Sequence, residues 1–346
     1  MIEITKLKEK IPVYDIEVED NHNFFANGLC VHNCEIFQPN TPLDGYNIHT
    51  QKKNDAHPEV GVCILANVNM GYAKIDDLPK CANYIIRFLD NLIDASEYGA
   101  PEIEYAAKKR RALGIGISNL FGFLAKSKLF YNTYEARREV SKFMERWCYE
   151  LHSASIELAK ERGKCELFED TIYADSKFPF ERFKMPEFLP ELDWDSLREE
   201  LIKYGIRNSS LCAIPPSGNA AQVSNSTNGI EPPRELITIK TDKNRTHKKI
   251  VPWYKSSKNY YTTAWSQDFD NHEYLKLVSV LQHYVDQAIS LNLYSNTINE
   301  KRKIEDIIEL MVESFNLGIK TWYYENFRSQ DDTENAVGCE SGGCSV

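Results

Sequence analysis

Four long stretches of this sequence repeat their apolar residues at helical spacing, and short apolar strand candidates lie between them. In DLPKCANYIIRFLDNLIDASEY (77–98), Ile85, Ile86, Leu89, Leu92 and Ile93 share one helical face. TYEARREVSKFMERWCYELHSASIELAKERG (133–163) predicts a long helix closed by Gly163. HEYLKLVSVLQHYVDQAISLNLY (272–294) and IEDIIELMVESFNLGIK (304–320) predict two more. GVCILANVNM (61–70), NSSLCAI (208–214) and ELITIK (235–240) predict strands. Helices alternating with short apolar strands predict an α/β body.

The chain has 346 residues and a net charge of −10, enough for a large core and for two or more domains. No apolar run reaches the length of a membrane span. The opening segment MIEITKLKEKIPVYDIEVED is charged and lacks the apolar centre of a signal peptide. These features predict a soluble, cytoplasmic protein that does not contact membrane. The acidic balance also argues against broad nucleic-acid binding. One basic stretch, IKTDKNRTHKKIVPWYKSSK (239–258), reads as a solvated hairpin. Nine cysteines are scattered along the chain, unlike a disulfide scaffold. Those with function are expected to be reactive thiols or metal ligands. Cys30, His32 and Cys34 would share one strand face, but no second ligand cluster completes a zinc site, so no metal is expected.

The first 33 residues follow a different pattern. IPVYDIEVED alternates at period two, DNHN turns, and FFANGLCVHN carries Asn-Gly as a tight turn. The segment ends at His32-Asn33-Cys34. An Asn side-chain amide can attack its own carbonyl, forming a succinimide and breaking the bond to the next residue. A neighbouring His speeds this by protonating the departing amine. A Cys after the Asn supplies a thiol that can first capture an acyl group. VYDIEVEDNHNFFANGLCVHN (13–33) resembles the closing blocks of an intein, a small all-β Hint-type fold. The resemblance implies His32 as proton donor, Asn33 as the cyclising residue and Cys34 as the first residue of the flanking protein. Asp15 and His22 are implied as supporting groups. The N-terminal half of an intein, with its own nucleophile, would precede Met1. A split intein is therefore expected, splicing in trans with a partner that carries the other half and the N-terminal part of the host.

After the seam come CEIFQPNTPLDG, RRALGIGISNLFGFL (110–124), PPSGNAAQVSNSTNGIEPPRE (215–235), YVDQAISLNLY (284–294), GIKTWYYENFR (318–328) and GCESGGCSV (338–346). Together, in this order, they resemble the C-terminal half of the large (alpha) subunit of class I ribonucleotide reductase, from Glu35 to Val346. The implied fold is the C-terminal half of a ten-stranded α/β barrel. Expected boundaries are 1–33 for the intein fragment, 34–327 for the barrel portion and 328–346 for a mobile, redox-active tail. Replacing a ribose 2′-hydroxyl by hydrogen needs a radical at the 3′ carbon, a base for the 3′-hydroxyl and two thiols as reductant.

The resemblance implies a role for each matching residue. Glu35 is the base, and Cys63 is one of the two reducing thiols, its partner lying on the missing half. Tyr323 and Tyr324 form a stacked relay to a tyrosyl radical on the small subunit. Cys339 and Cys344 shuttle electrons from thioredoxin or glutaredoxin. Pro216, Ser217, Gly218, Asn219, Ala220 and Ala221 cradle the diphosphate of a ribonucleoside diphosphate, mainly through backbone amides. Family members usually carry more hydroxyl residues in that turn. Cys34 falls on the middle position of the family's Cys-x-Glu motif. The thiyl cysteine then ends the missing N-terminal piece, or Cys34 takes that role after a one-residue deletion. Cys81, Cys148, Cys165 and Cys212 are expected to be inert core residues. No cofactor is expected on this fragment. The radical comes from a metal-containing small (beta) subunit, and ATP or dNTP effectors bind the missing half. The alternative is a non-catalytic binding protein with a degenerate reductase body and an inert N-terminal hairpin.

Overall fold

The computed structural model describes residues 59–62, 64–182, 186–242, 245–296 and 303–328, together with four short strands nearer the N-terminus. Two of these, β1 (Asn23–Ala26) and β2 (Leu29–His32), pair antiparallel with Ala26 opposite Leu29 and Asn23 opposite His32. The Asn-Gly dipeptide lies between them, as a two-residue hairpin connection requires. The others, β3 (Tyr46–Asn47) and β4 (Lys52–Lys53), form a second short antiparallel pair.

The body is built on five parallel extended segments whose spatial order follows the sequence. β5 (Leu65–Asn69) leads through α1 (Leu78–Ala95) and α2 (Pro101–Arg110) to β6 (Gly114–Ser118), its parallel neighbour. Beyond β6 run α3 (Leu120–Lys126), α4 (Tyr134–Arg162) and α5 (Trp194–Tyr204). The chain then returns as a third segment, 210–215. There the Ile115 N–H donates to Leu211 O at 2.7 Å and the Ala213 N–H to Ile115 O at 3.3 Å. Next come α6 (Gly218–Val223), the hairpin of β7 (Ile237–Asp242) and β8 (Arg245–Ile250), α7 (Tyr254–Ser257) and α8 (Asn271–Tyr284). A fourth segment, 286–296, follows. It donates from Gln287 N–H to Cys212 O and ends in β9 (Leu293–Asn296). Finally α9 (Ile304–Asn316) leads to the fifth segment, which contains β10 (Glu325–Arg328), parallel to β9. Neighbours in space that are neighbours in sequence, joined through helices, give the winding of an α/β barrel. Among the described residues the arc does not close on itself.

Alternation along the segments sorts the side chains. Val68, Ile115, Ile117, Cys212, Ile214, Ile289 and Leu291 are buried in the core. The opposite face is small or polar, with Asn67, Gly116, Ala213 and Asn292. Gly116 is required by close approach: a Cβ there would sit 2.2 Å from Ala213 O. Helix α4 anchors the outer layer. The Thr133 side chain accepts from the Ala136 N–H, and the helix ends at Gly163, whose φ is 84°. It lies against α1, α5 and α8 and buries Phe143, Met144, Trp147, Leu151 and Ile156. Each such side chain contributes about 1.5–3 kcal/mol by leaving water.

The sequence pattern places residues 272–294 in one helix, but α8 stops at Tyr284. The cause is tertiary: the Asp286 carboxylate accepts the N–H groups of Leu211 and Cys212 at 2.8 and 2.9 Å. That draws the chain onto the third segment, and Ile289, Leu291 and Leu293 then alternate as a buried strand. The basic stretch does form a hairpin, β7–β8. No helix among the described residues is long and apolar enough to cross a membrane.

Two features control stability. The Asp90 carboxylate, fully buried, meets Arg111 at 2.5 Å, Arg162 at 2.9 Å and Arg207 at 3.2 Å. It thereby ties α1 to the ends of α2 and α4 and to the approach to the third segment. The second is His283, 5% exposed and packed against Phe180 and Tyr284. Burial pushes its pKa down to about 4, so it is neutral in the fold. In the unfolded chain it protonates near pH 6.5, so between pH 6.5 and 4 the unfolded state binds more protons. Stability falls as pH falls through that window, by about 3 kcal/mol for this residue. Urea unfolding at pH 7 and pH 4.5 checks it: His283→Gln should flatten the pH dependence. Parallel curves for the two proteins would refute the assignment.

Candidate active site

The carboxyl ends of β5 and β6 and the loop after the third segment meet in one region, held by side-chain amides. Asn69 ends β5 and Asn119 follows β6 in a left-handed conformation, φ 68°. The Asn119 Nδ2 donates to Asn69 Oδ1 at 2.9 Å, and its Oδ1 accepts the Thr227 N–H at 2.9 Å. Asn69 in turn donates to Ser224 O at 3.0 Å. These contacts pin the loop that follows the third segment over the carboxyl ends of β5 and β6. That is where parallel α/β folds bind ligands.

This loop begins with the turn 215–221. Ser217 is buried, and its hydroxyl is used within the fold: it accepts the Gly229 N–H at 2.6 Å and lies 3.3 Å from Asn228 Oδ1. Gly229 itself has φ 46°, a conformation that favours glycine. The Ser217 N–H also points to Asn228 Oδ1, at 3.3 Å. The first turn of α6 carries the backbone amides of Gly218, Asn219 and Ala220, a group type that can donate to an anion. Ala221 is buried and its N–H returns to Ser217 O at 2.6 Å, while Pro216 and Ala220 are exposed.

The loop's far end reaches the tyrosine pair. Glu231, partly buried, accepts from Asn292 Nδ2 at 2.8 Å and from the Tyr294 hydroxyl at 3.0 Å. Burial raises the Glu231 pKa, opposed by those hydrogen bonds and one from Asn228. Asn292 Oδ1 accepts the Tyr324 N–H at 3.1 Å. The rings of Tyr323 and Tyr324 are 4.2 Å apart between centroids and inclined by 52°, a tilted contact rather than a parallel stack. Tyr324 is half exposed.

The remaining predicted site residues fall elsewhere. Asp15, His22, Asn33, Cys34, Glu35, Cys63, Cys339 and Cys344 lie outside the described residues, and His32 is described only as the end of β2. Among the cysteines expected to be inert, Cys148, Cys165 and Cys212 are buried and Cys81 is partly so. Burial pushes the Cys165 thiol up to about 11 and raises that of Cys212, which suppresses thiolate chemistry. Sequence reasoning missed Asn69, Asn119, Glu231, Asn292 and Tyr294. Glu231 sits in the conspicuous run NGIEPPR, a signal that was available. Asn292 and Tyr294 were hidden inside the stretch read as helix.

The family model for the ribonucleotide reductase barrel domain matches residues 26–325. The chain belongs to the ribonucleotide reductase barrel-domain family. It is 36% identical to ribonucleoside-diphosphate reductase subunit alpha of Buchnera aphidicola from Schizaphis graminum, covering 92% of this chain and 43% of the relative. It is 34% identical to the Haemophilus influenzae subunit alpha, covering 92% and 42%. The subunit alpha of phage T4 is 34% identical over 83% of this chain and 39% of its own length. The chain thus spans less than half the length of these curated reductase relatives. Within the reductase barrel domain, the pinned loop and the tyrosine pair both lie in matched sequence.

Proposed function

We propose that this chain is the C-terminal portion of a ribonucleoside-diphosphate reductase large subunit and becomes active once joined to an N-terminal partner. The observation that carries this is the continuous contact from the turn 216–221 through Asn228, Glu231 and Asn292 to Tyr324, within sequence matched by the reductase barrel family. The first-turn amides of α6 hold the diphosphate of the substrate. Glu35 takes the 3′-hydroxyl proton while a thiyl radical abstracts the 3′ hydrogen. The 2′-hydroxyl leaves as water with a proton from one of the reducing thiols. Cys63 and its partner thiol are oxidised to a disulfide as hydrogen is delivered to C2′. The abstracted hydrogen returns to C3′, which regenerates the thiyl radical. Cys339 and Cys344 reduce that disulfide by thiol exchange and are themselves reduced by thioredoxin or glutaredoxin. The thiyl cysteine lies on the joined N-terminal piece or is Cys34.

Tyr323 and Tyr324 carry an electron, with proton movement, between the thiol and a radical on a small subunit that contains the metal. The half-exposed Tyr324 and the exposed apolar side chains Ile304, Met311, Val312 and Phe315 of α9 offer that subunit a surface. Effector nucleotides bind the N-terminal piece.

Residues 1–33 act as the C-terminal half of a split intein. One finding supports this reading: the reductase family match leaves out residues 1–25, most of this segment. The thiol of Cys34 captures the N-terminal host segment, Asn33 cyclises with His32 donating the proton, and an S-to-N shift leaves a peptide bond. Asp15 and His22 support these steps. Mixing with the partner fragment should give a joined product by intact mass and deoxynucleotide formation once the small subunit is added. Asn33→Ala should abolish release of the 1–33 peptide. Release undiminished in that variant would defeat the splicing mechanism, and a joined product without reduction would favour a non-catalytic body.

A further inference from the structure

The loop 228–234 reaches the fifth segment through two side-chain bridges, one at Tyr324 and one two residues beyond it. Glu231 Oε1 accepts from Asn292 Nδ2 at 2.8 Å, and Asn292 Oδ1 accepts the Tyr324 N–H at 3.1 Å. Arg234 Nη2 donates to Asn326 Oδ1 at 2.9 Å, and Asn326 Nδ2 to Leu293 O at 3.3 Å. The backbone ladder fixes only the level of the tyrosines: the Tyr323 N–H goes to Leu291 O and the Leu293 N–H to Tyr324 O, both 2.8 Å. The Tyr324 N–H is taken instead by the Asn292 side chain. An Asn amide can turn over, and here Glu231 decides which way it points. A carboxylate accepts only, so it holds the Asn292 NH2 toward itself and leaves the Asn292 oxygen for Tyr324. Tyr294, 2% exposed, holds the second carboxylate oxygen at 3.0 Å and fixes the rotamer.

We propose that Glu231 is a positioning residue for the tyrosine pair. It orients Asn292, Asn292 fixes the backbone at Tyr324, and the contact between the two phenol rings follows. Glu231 is also bonded at its own N–H to Asn228 O at 2.8 Å, and Asn228 meets Ser217. The carboxylate therefore sits between the turn that holds the substrate and the residues that pass the electron. This assignment rests on the reading of Tyr323 and Tyr324 as a relay, and it concerns the step between the two rings. Transfer between phenols depends steeply on their separation and orientation. Loss of the carboxylate should impair passage from position 324 to position 323 while leaving the arrival of the radical at 324 intact.

The test uses the joined large subunit with its small subunit and cytidine diphosphate as substrate. 3-Aminotyrosine is placed at position 324 in one preparation and at 323 in another, and radical yield is read by electron paramagnetic resonance. In Glu231→Ala, the radical at 324 should form at the unmutated level. The radical at 323 should fall at least about tenfold, the substrate KM should stay within about twofold, and kcat should fall with the 323 radical. Glu231→Gln, which keeps an acceptor oxygen, should recover at least half of the 323 yield. Asn292→Ala removes only the Tyr324 contact and should reproduce the alanine result at 231, which keeps the test open if Glu231→Ala does not fold. Equal loss at both positions, no loss at either, or a failure of Glu231→Gln to recover would overturn the positioning role. Absence of any radical at 323 and 324 in the unmutated enzyme would overturn the relay itself, and is recognised because it precedes any change at Glu231.

Discussion

Tyr323→Phe should reduce nucleotide reduction by the joined enzyme at least about 10³-fold, corresponding to roughly 4 kcal/mol on the barrier. Phenylalanine keeps the ring and its packing, but it has no hydroxyl to lose a proton as the electron leaves. Oxidising its ring is far harder than oxidising a phenol. Tyr323 is anchored by its backbone, through its N–H on Leu291 O, and its ring centroid lies 4.2 Å from that of Tyr324 at a tilt of 52°. Nucleotide binding, measured by equilibrium dialysis with cytidine diphosphate, should be unchanged, and so should the radical on the small subunit. Turnover within about tenfold of the unmutated enzyme would remove Tyr323 from the electron path.

Asp90→Ala should lower unfolding stability by about 3–5 kcal/mol, the cost of leaving buried cations without their counter-charge. The carboxylate is fully buried and shared by three guanidinium groups. Of these, the side chains of Arg111 and Arg207 are only 6% and 13% exposed. Those two arginines have lost their hydration and cannot recover it without opening the junction of α1 with the start of the third segment. Asp94 is the internal control. It also pairs with Arg111, at 2.8 Å, but its side chain is 53% exposed. Arg111 holds its carboxyl below the usual range, yet Asp94→Ala should cost under about 1 kcal/mol because water screens the pair. Chemical denaturation of the three proteins under one set of conditions measures both differences. Equal losses for the two aspartates would show that burial does not govern this cluster.

The parts of this protein legible in sequence were those governed by local rules. The long helix closed at Gly163, the amphipathic α1, the Asn-Gly hairpin and the basic hairpin all rest on periodicity, capping or turn chemistry within a few residues. Helix α8 was misread where a distant partner intervened. Nothing local in YVDQAISLNLY distinguishes a helix from a buried strand, because both are apolar. The decision belongs to Asp286, which captures two N–H groups from residues some seventy-five positions earlier. The candidate site divides in the same way. The tyrosine pair and the turn at 216–221 announce themselves as motifs. The residues that connect them, Asn228, Glu231 and Asn292, are ordinary polar side chains until the fold places them together.

By itself, the sequence determined most of the helices and the two hairpins, since these depend on residue types at short spacing. It also carried enough of the motif order to point to a reductase large subunit. Only the tertiary structure decided that Glu231 meets Asn292 and Tyr294, sixty-one and sixty-three residues away. The reason is physical: such contacts arise from parallel segments wound side by side through helices of unequal length. No local preference encodes that winding, which is fixed by burial of the whole core.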